Sequence, residues 1–260
     1  MKEEEFNIEN EGQEIVGILH RAKENNDKLV ILVHGFTGDI DGPAGFWEPM
    51  AEKLCDNGFD VYRFNFRFTT KDWSLFRNMT ITGEVSDLKK IISVMSKKYK
   101  IIGLIGSSLG GTISVLSYND KVDAMVLWYP GIFLAESMRE RFLTKQKLKE
   151  LERKGYLLHK KYSCDVKVGR NFIYEMKDLD LIPFLKNIKC PTMLIHGDKD
   201  SRVPVEQSKR TVRFLNGPKK LEIIKGANHA WRDINYKLPV PEFQKKVMSL
   251  TVEWFKRWLK

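Results

Sequence analysis

The sequence predicts an α/β protein: a mostly parallel central sheet with helices on both faces. Three observations predict it. Continuous apolar, β-branched runs, of which residues 28–33 (Lys-Leu-Val-Ile-Leu-Val) are the clearest, mark strands buried on both faces. These runs alternate with segments of helical apolar spacing, which implies crossover connections and parallel pairing. The run 101–105 passes through Gly106-Ser107-Ser108-Leu109-Gly110 straight into a helical pattern, so a strand, a tight turn and a helix follow one another without a linker.

The elements follow in order. Residues 14–20 alternate around Ile15, Val16, Ile18 and Leu19 and read as an edge strand, and Asn25-Asn26-Asp27 as a turn. The 28–33 strand ends in His34-Gly35-Phe36-Thr37-Gly38, followed by a polar loop with Asp39, Asp41, Gly42 and Pro43. Residues 46–57 carry Phe46, Trp47, Met50 and Leu54 at helical spacing and stop at Gly58. A strand is expected over 59–66, an irregular stretch over 69–80, and a helix over 82–99 with Val85, Leu88, Ile91, Ile92 and Met95 on its apolar face. The helix after the glycine–serine turn runs to about Tyr118, and 123–129 is a buried strand closed by Pro130-Gly131. From 132 to 187 the rhythm changes to charged, turn-rich helical pieces with no clear buried strand. The chain therefore divides into residues 1–131, an insertion over 132–187, and 188–260, where alternation resumes. The last part holds a strand at 192–196, a helix at 205–215, a strand at 221–224 and an amphipathic helix at 241–259.

Composition narrows the function classes. A chain of 260 residues, 42% hydrophobic, buries a sizeable core. No apolar run is long enough for a membrane span, and the acidic opening Met1-Lys2-Glu3-Glu4-Glu5 lacks the apolar core of a secretory signal. Three scattered cysteines, Cys55, Cys164 and Cys190, suggest reduced thiols and a cytoplasmic location. The formal net charge of +10 reads as a Lys-rich solvated surface, because no nucleic-acid motif accompanies it. Metal chemistry finds no ligand motif, and Asp39 with Asp41 lacks the further ligands of a calcium loop.

In a parallel sheet, functional groups sit on the loops after the carboxyl ends of the strands. Four such loops stand out: His34-Gly35-Phe36; the turn at Ser108; His196-Gly197-Asp198-Lys199-Asp200-Ser201-Arg202-Val203-Pro204; and Gly226-Ala227-Asn228-His229-Ala230-Trp231. Gly-x-Ser-x-Gly centres on Ser108, whereas Ser107 lacks the flanking glycines. Neither a phosphate-binding loop, which wants Lys where Thr112 stands, nor a Gly-x-Gly-x-x-Gly fingerprint fits the same glycines. Asp198 and Asp200 both offer a carboxylate. Of the five histidines, only His229 follows them on a late loop; His34 and His196 precede glycines at strand ends, His20 ends an early strand, and His159 lies in the insertion.

From residue 28 onward the sequence resembles the α/β-hydrolase fold family, on the order of these motifs: His34-Gly35-Phe36-Thr37-Gly38, Gly106-Ser107-Ser108-Leu109-Gly110-Gly111, the acid loop and the histidine loop. Together with Gly169-Arg170-Asn171-Phe172, they are most similar to small carboxylesterases of the cinnamoyl/feruloyl type. Monoacylglycerol lipases, thioesterases and serine aminopeptidase-like hydrolases stand as alternatives. The resemblance implies Ser108 as nucleophile, His229 as base and, by the pattern His-Gly-x-x-Asp-x-x-Val-Pro, Asp200 as the orienting acid. It places oxyanion donors at the backbone N–H groups of Phe36 and Leu109, makes the insertion a cap over the site, and calls for no cofactor. The activity it implies is hydrolysis of short-chain or aromatic small-molecule esters through an acyl-enzyme. The cap aromatics Phe133, Phe142, Tyr156, Tyr162, Phe172 and Tyr174 either contact an aromatic acyl group or hold the cap on the sheet. The contrasting class is a non-catalytic basic binding module.

Overall fold

The computed structural model describes residues 2–23, 26–69, 73–161 and 164–260, without the side chain of Cys164. The turn residue Asn25, residues 70–72 of the irregular stretch, and Tyr162 lie outside the described residues.

The chain opens with β1 (Lys2–Glu5), a hairpin of β2 (Ile8–Asn10) and β3 (Gln13–Ile15), and β4 (Gly17–Arg21). The alternation over 14–20 is thus not one edge strand. Ile15 belongs to the hairpin, and β4 enters the main sheet with β1 paired along its outer side, Lys2 opposite Arg21 through Glu5 opposite Ile18. The acidic β1 carries no apolar alternation, so patterning passes over it; its charges are what discourages an edge from pairing further.

From there the periodicity holds, with boundaries shifted by a few residues: β5 (Lys28–Val33), α1 (Trp47–Cys55), β6 (Asp60–Phe64), α2 (Ile81–Met95), β7 (Ile101–Ser107), α3 (Leu109–Ser117) and β8 (Ala124–Trp128). The stretch read as irregular contains a 3-10 turn, Trp73–Asn78. Residues 132–187 supply α4 (Leu134–Ser137), α5 (Arg139–Phe142), α6 (Lys145–Lys154), β9 (Tyr156–Lys161), β10 (Cys164–Gly169), α7 (Arg170–Asp178) and α8 (Ile182–Asn187). The antiparallel β9–β10 hairpin is an addition to the sequence reading, which saw no strand here because charges interrupt its alternation. The chain closes with β11 (Thr192–Gly197), α9 (Glu206–Thr211), β12 (Lys219–Ile224) and α10 (Pro241–Trp258). The helix expected over 205–215 is cut short: Arg213 and Phe214 donate to carbonyls three residues back, which tightens the chain into turns.

The main sheet has eight strands in the order β1-β4-β6-β5-β7-β8-β11-β12. Every pair from β6 to β12 is parallel, and β4 runs antiparallel to both neighbours. The strand β5 shows why its run is uniformly apolar. Leu29, Ile31 and Val33 join the core under α2 and α3, while Val30 and Leu32 join the opposite core with Trp47 and Met50 of α1 and Val247 and Phe255 of α10. The first of these cores continues without a break into 132–187 through Phe142, Leu157, Val166 and Phe172. Among the described residues no helix is long and apolar enough to cross a membrane.

One buried carboxyl opposes the rest of this packing. Glu84, in the first turn of α2, is 4% exposed, and its Oε2 has no hydrogen-bond partner among the described residues. Burial raises its pKa well above the ordinary value of 4.5, and the neighbouring Asp87 and Glu175 add to the effect. The folded chain therefore holds this proton more tightly than the unfolded chain. Its contribution to stability is present at low pH and is lost as pH rises through and beyond the ordinary carboxyl range. Glu84→Gln keeps the shape and removes the titration. It should raise Tm at pH 8 by about 2–4 °C for each kcal/mol recovered and change little at pH 4, as thermal melts of both proteins at the two pH values will show.

Candidate active site

The turn after β7 is strained by construction. Ser108 has φ 54° and ψ −118°, a region that residues with a Cβ rarely occupy. Three backbone bonds hold it there. Ser108 N–H donates to Trp128 O at 3.0 Å, and Ser108 O accepts from Gly111 N and Gly131 N, each at 3.0 Å. The glycines on either side have a steric reason. A Cβ on Gly106 would stand 2.6 Å from Gly110 O and from Ser114 Oγ, and one on Gly110 only 2.2 Å from Val33 O. The helix α3 thus packs directly on the ends of β5 and β7 and points its amino end at the serine, where negative charge is favoured. Gly110→Ala must push α3 off β5. An overpacking cost of about 1–3 kcal/mol is expected in chemical denaturation, together with loss of activity from a displaced Ser108.

The loop after β5 lies along the same turn. A Cβ on Gly35 would be 3.0 Å from Ser108 Cβ and 3.6 Å from the Leu109 nitrogen, so the Gly35–Phe36 backbone runs beside the first amide of α3. The Phe36 ring anchors that backbone: it stacks on Phe172 at 5.1 Å and meets Phe76 and Phe142 edge-on at 5.5 and 6.0 Å. His34 is buried, with Nε2 3.1 Å from Thr69 Oγ1 and Nδ1 3.0 Å from Gly35 O. Burial pushes its pKa down to about 4, so it shapes the loop as a neutral imidazole.

The loops after β11 and β12 bring an acid to a histidine. His229 Nδ1 lies 2.7 Å from Asp200 Oδ2. The carboxylate is fully enclosed. Its Oδ1 accepts from the backbone N–H groups of Arg202 and Val203, both at 2.8 Å, and His196 Nε2 stands 3.3 Å from Oδ2. Burial alone would raise the pKa of Asp200. The charge of His229 and the hydrogen bonds from His196 and His229 outweigh it and hold the carboxyl well below the usual range, so it is ionised at neutral pH. Asn228, which sequence reasoning passed over, fixes the histidine loop: its Oδ1 accepts from Ser201 N and Oγ and from His229 N. An asparagine directly before the histidine was the available signal.

The structure separates the alternatives. Asp198 does not face His229; it accepts from Gly226 N at 2.6 Å and ties the two loops together. Ser107 is a buried strand residue. His196 is buried between Ser208 Oγ and Val203 O. His20 is buried and accepts from Arg63 Nε at 2.8 Å. His159, in contrast, joins Ser108 and His229 around one cavity of about 790 Å³. Other walls of this cavity are Phe36, Tyr129, Leu134, Met138 and Tyr236. Of the aromatic residues read as either acyl contacts or packing anchors, the described ones, Phe133, Phe142, Tyr156, Phe172 and Tyr174, do not line it. Phe142 and Phe172 are buried against Phe36, Phe133 lies under the Arg210 guanidinium, and Tyr174 bonds Glu152. The contacts of Phe142, Phe172 and Phe133 pack residues 132–187 against the rest of the chain, whereas that of Tyr174 stays within 132–187. Among the described residues no three His, Cys, Asp or Glu side chains are grouped to hold a metal ion.

Comparison with solved structures places this architecture. A structure described as ferulic acid bound to Est1E from Butyrivibrio proteoclasticus superposes with a TM-score of 0.82 over 98% of this chain and 99% of that one, at 21% identity. The α/β hydrolase domain-containing protein 10 from mouse gives a TM-score of 0.75 at 18% identity, over 98% of this chain and 99% of that one. The fold is therefore that of the α/β hydrolases. Within it the chain belongs to the prolyl oligopeptidase family, which its residues 50–260 match. Among curated proteins, it is 25% identical over 221 residues to the acylamino-acid-releasing enzyme of Rattus norvegicus, covering 79% of this chain but only 29% of that protein. It is 23% identical over 215 residues to the mitochondrial palmitoyl-protein thioesterase ABHD10 of Mus musculus, covering 79% of this chain and 69% of that protein. The chain thus spans less than a third of the rat enzyme's length. Membership of this family weighs against the reading as a non-catalytic basic module.

Proposed function

We propose that the chain is a serine carboxylesterase in which Ser108 is the nucleophile, His229 the general base and Asp200 its orienting acid. The observation that carries this reading is the 2.7 Å contact between His229 Nδ1 and the buried, ionised Asp200, on the same cavity as a serine held at positive φ. In this scheme His229 Nε2 takes the Ser108 proton as Oγ bonds to the ester carbonyl carbon. The backbone N–H groups of Phe36 and Leu109 receive the oxyanion. Collapse breaks the bond to the alcohol oxygen, and the proton on His229 goes to the departing alcohol. Water then repeats the sequence on the acyl-enzyme and releases the acid. Residues 132–187 act as a cap over a core formed by 1–131 and 188–260, since Leu134, Met138 and His159 wall the cavity above the serine.

The acyl group is proposed to be short or aromatic. The 790 Å³ cavity suits a compact ester, and a fold neighbour is described with ferulic acid bound. The test has two parts. A fluorophosphonate probe should label Ser108, as mapped by mass spectrometry. Methyl ferulate and p-nitrophenyl acetate or butyrate should then be turned over faster than p-nitrophenyl palmitate. Faster turnover of the palmitate, or of an N-acetylated aminoacyl anilide, moves the assignment to a thioesterase or an acylaminoacyl hydrolase on the same residues.

A further inference from the structure

The cavity above Ser108 carries a charge imbalance that ester hydrolysis alone does not require. Its walls hold two carboxylates, Asp39 and Asp41, and four cationic side chains, Arg141, Lys160, Lys161 and Arg202. Both carboxylates are already engaged: Asp41 by Arg63 at 3.1 Å and Asp39 by Lys161 at 3.7 Å. Lys160 is exposed to water on the β9–β10 hairpin; Arg202 is exposed as well but packs over the Tyr236 ring. That leaves the two arginines. Among the described residues, no carboxylate lies within ion-pair distance of either guanidinium.

Both arginines are placed to meet a substrate. Arg202 stands two residues after Asp200, and its guanidinium carbon lies 4.7 Å from the centroid of the Tyr236 ring, which braces it on the cavity wall. Arg141 lines the same cavity from the one-turn helix α5 and is half-buried. The groups are close enough to sense one another. Burial and then the charge of Arg202 lower the pKa of Arg141, and His159 on the same wall is pushed down to about 4 by burial, then by Arg141 and Arg202. The two guanidinium groups line one cavity, Arg141 half-buried and Arg202 exposed, without a carboxylate partner among the described residues, and their planar donor forks match a carboxylate.

We propose that Arg141 and Arg202 form an anion-recognition pair at the catalytic cavity, and that the substrate is a carboxylic ester bearing a free carboxylate on its acyl or its alcohol part. This inference rests on the assignment of Ser108 and His229 as the reacting residues. It identifies Arg141, a cap residue, as a specificity determinant and not a member of the hydrolytic machinery.

The test compares substrate pairs that differ in charge. On the acyl side the pair is mono-4-nitrophenyl adipate and its methyl ester. On the alcohol side it is 4-carboxyphenyl butanoate and 4-carbamoylphenyl butanoate. The charged-to-neutral ratio of kcat/KM is measured for the wild type, Arg141→Gln and Arg141→Lys. In at least one pair, Arg141→Gln should lower the ratio about tenfold, the scale of one charge-assisted hydrogen bond, through KM of the charged member. Arg141→Lys should restore part of it. Both members are assayed on one preparation, so a partly folded variant slows both alike and leaves the ratio untouched. Arg202→Gln provides a second variant with the same expectation. As a readout without turnover, adipate should slow fluorophosphonate labelling of the wild type at concentrations that do not protect Arg141→Gln. Ratios unchanged in both pairs, with neutral esters hydrolysed and Ser108 labelled, overturn the anion site and leave the esterase assignment standing. Absence of labelling and of all ester turnover in folded wild type overturns both.

Discussion

Ser108→Ala should lower kcat for ester hydrolysis by about a millionfold and abolish labelling by a fluorophosphonate, while the protein keeps its fold. The size of the loss follows from how much of the turn serves that single oxygen. The serine is held at φ 54° by Trp128 O, Gly111 N and Gly131 N, and the two glycines beside it leave no room for side chains. Alanine has the same Cβ, so none of these contacts changes, and relief from strain is not expected to be large. What disappears is the Ser108 hydroxyl, on the cavity that His229 also lines. Active-site titration and steady-state kinetics on wild type and variant check the prediction. Retention of more than about a thousandth of the wild-type rate would move the chemistry to a different group, because oxyanion donors and binding alone provide only a modest residual.

Much of this site was legible in the sequence because its parts are set by local chemistry. Gly-x-Ser-x-Gly after an apolar run demands a tight turn, and the close approach of Gly110 to Val33 O shows why no larger residue serves. The buried strands were legible for a similar reason: a strand covered on both faces cannot hide its apolar run. What was not legible depends on contacts distant in sequence. Lys2–Glu5 becomes a strand only because Gly17–Arg21 offers it an edge. The β9–β10 hairpin alternates, but its exposed face is so charged that periodicity is lost. Phe142 and Phe172 carry the same apolar signal whether they face a ligand or Phe36, and only packing decides between them. Arg141 is one of many cations in its stretch, and what distinguishes it is the cavity it lines.

Asp200→Asn should cost about ten-thousandfold in kcat with the fold retained, through the tautomer of His229. The carboxylate receives donors on both oxygens: the amides of Arg202 and Val203 on Oδ1, and the imidazoles of His229 and His196 on Oδ2. An asparagine has a single acceptor oxygen. If that oxygen stays with the two amides, its NH2 group faces His229 Nδ1 and turns that nitrogen into an acceptor. The imidazole proton must then sit on Nε2, the position that has to take the proton of Ser108. If the amide is turned the other way, two backbone N–H groups meet an NH2 group in a fully enclosed space, and the loop after β11 distorts. Either way His229 can no longer act as the proposed base, while Ser108 and the proposed oxyanion donors are left in place. A slow residual rate is therefore expected, rising at alkaline pH as the serine hydroxyl loses its proton without help. Stability should respond with the opposite sign to that at Glu84. The pKa of Asp200 is depressed in the folded chain, so its contribution is present above the ordinary carboxyl range and is lost as pH falls. Denaturation at pH 7 and pH 3 should show Asp200→Asn less stable than wild type at pH 7, with the gap narrowing at pH 3. A gap that widens on acidification would mean that the carboxylate is not held in its ionised form by the two imidazoles.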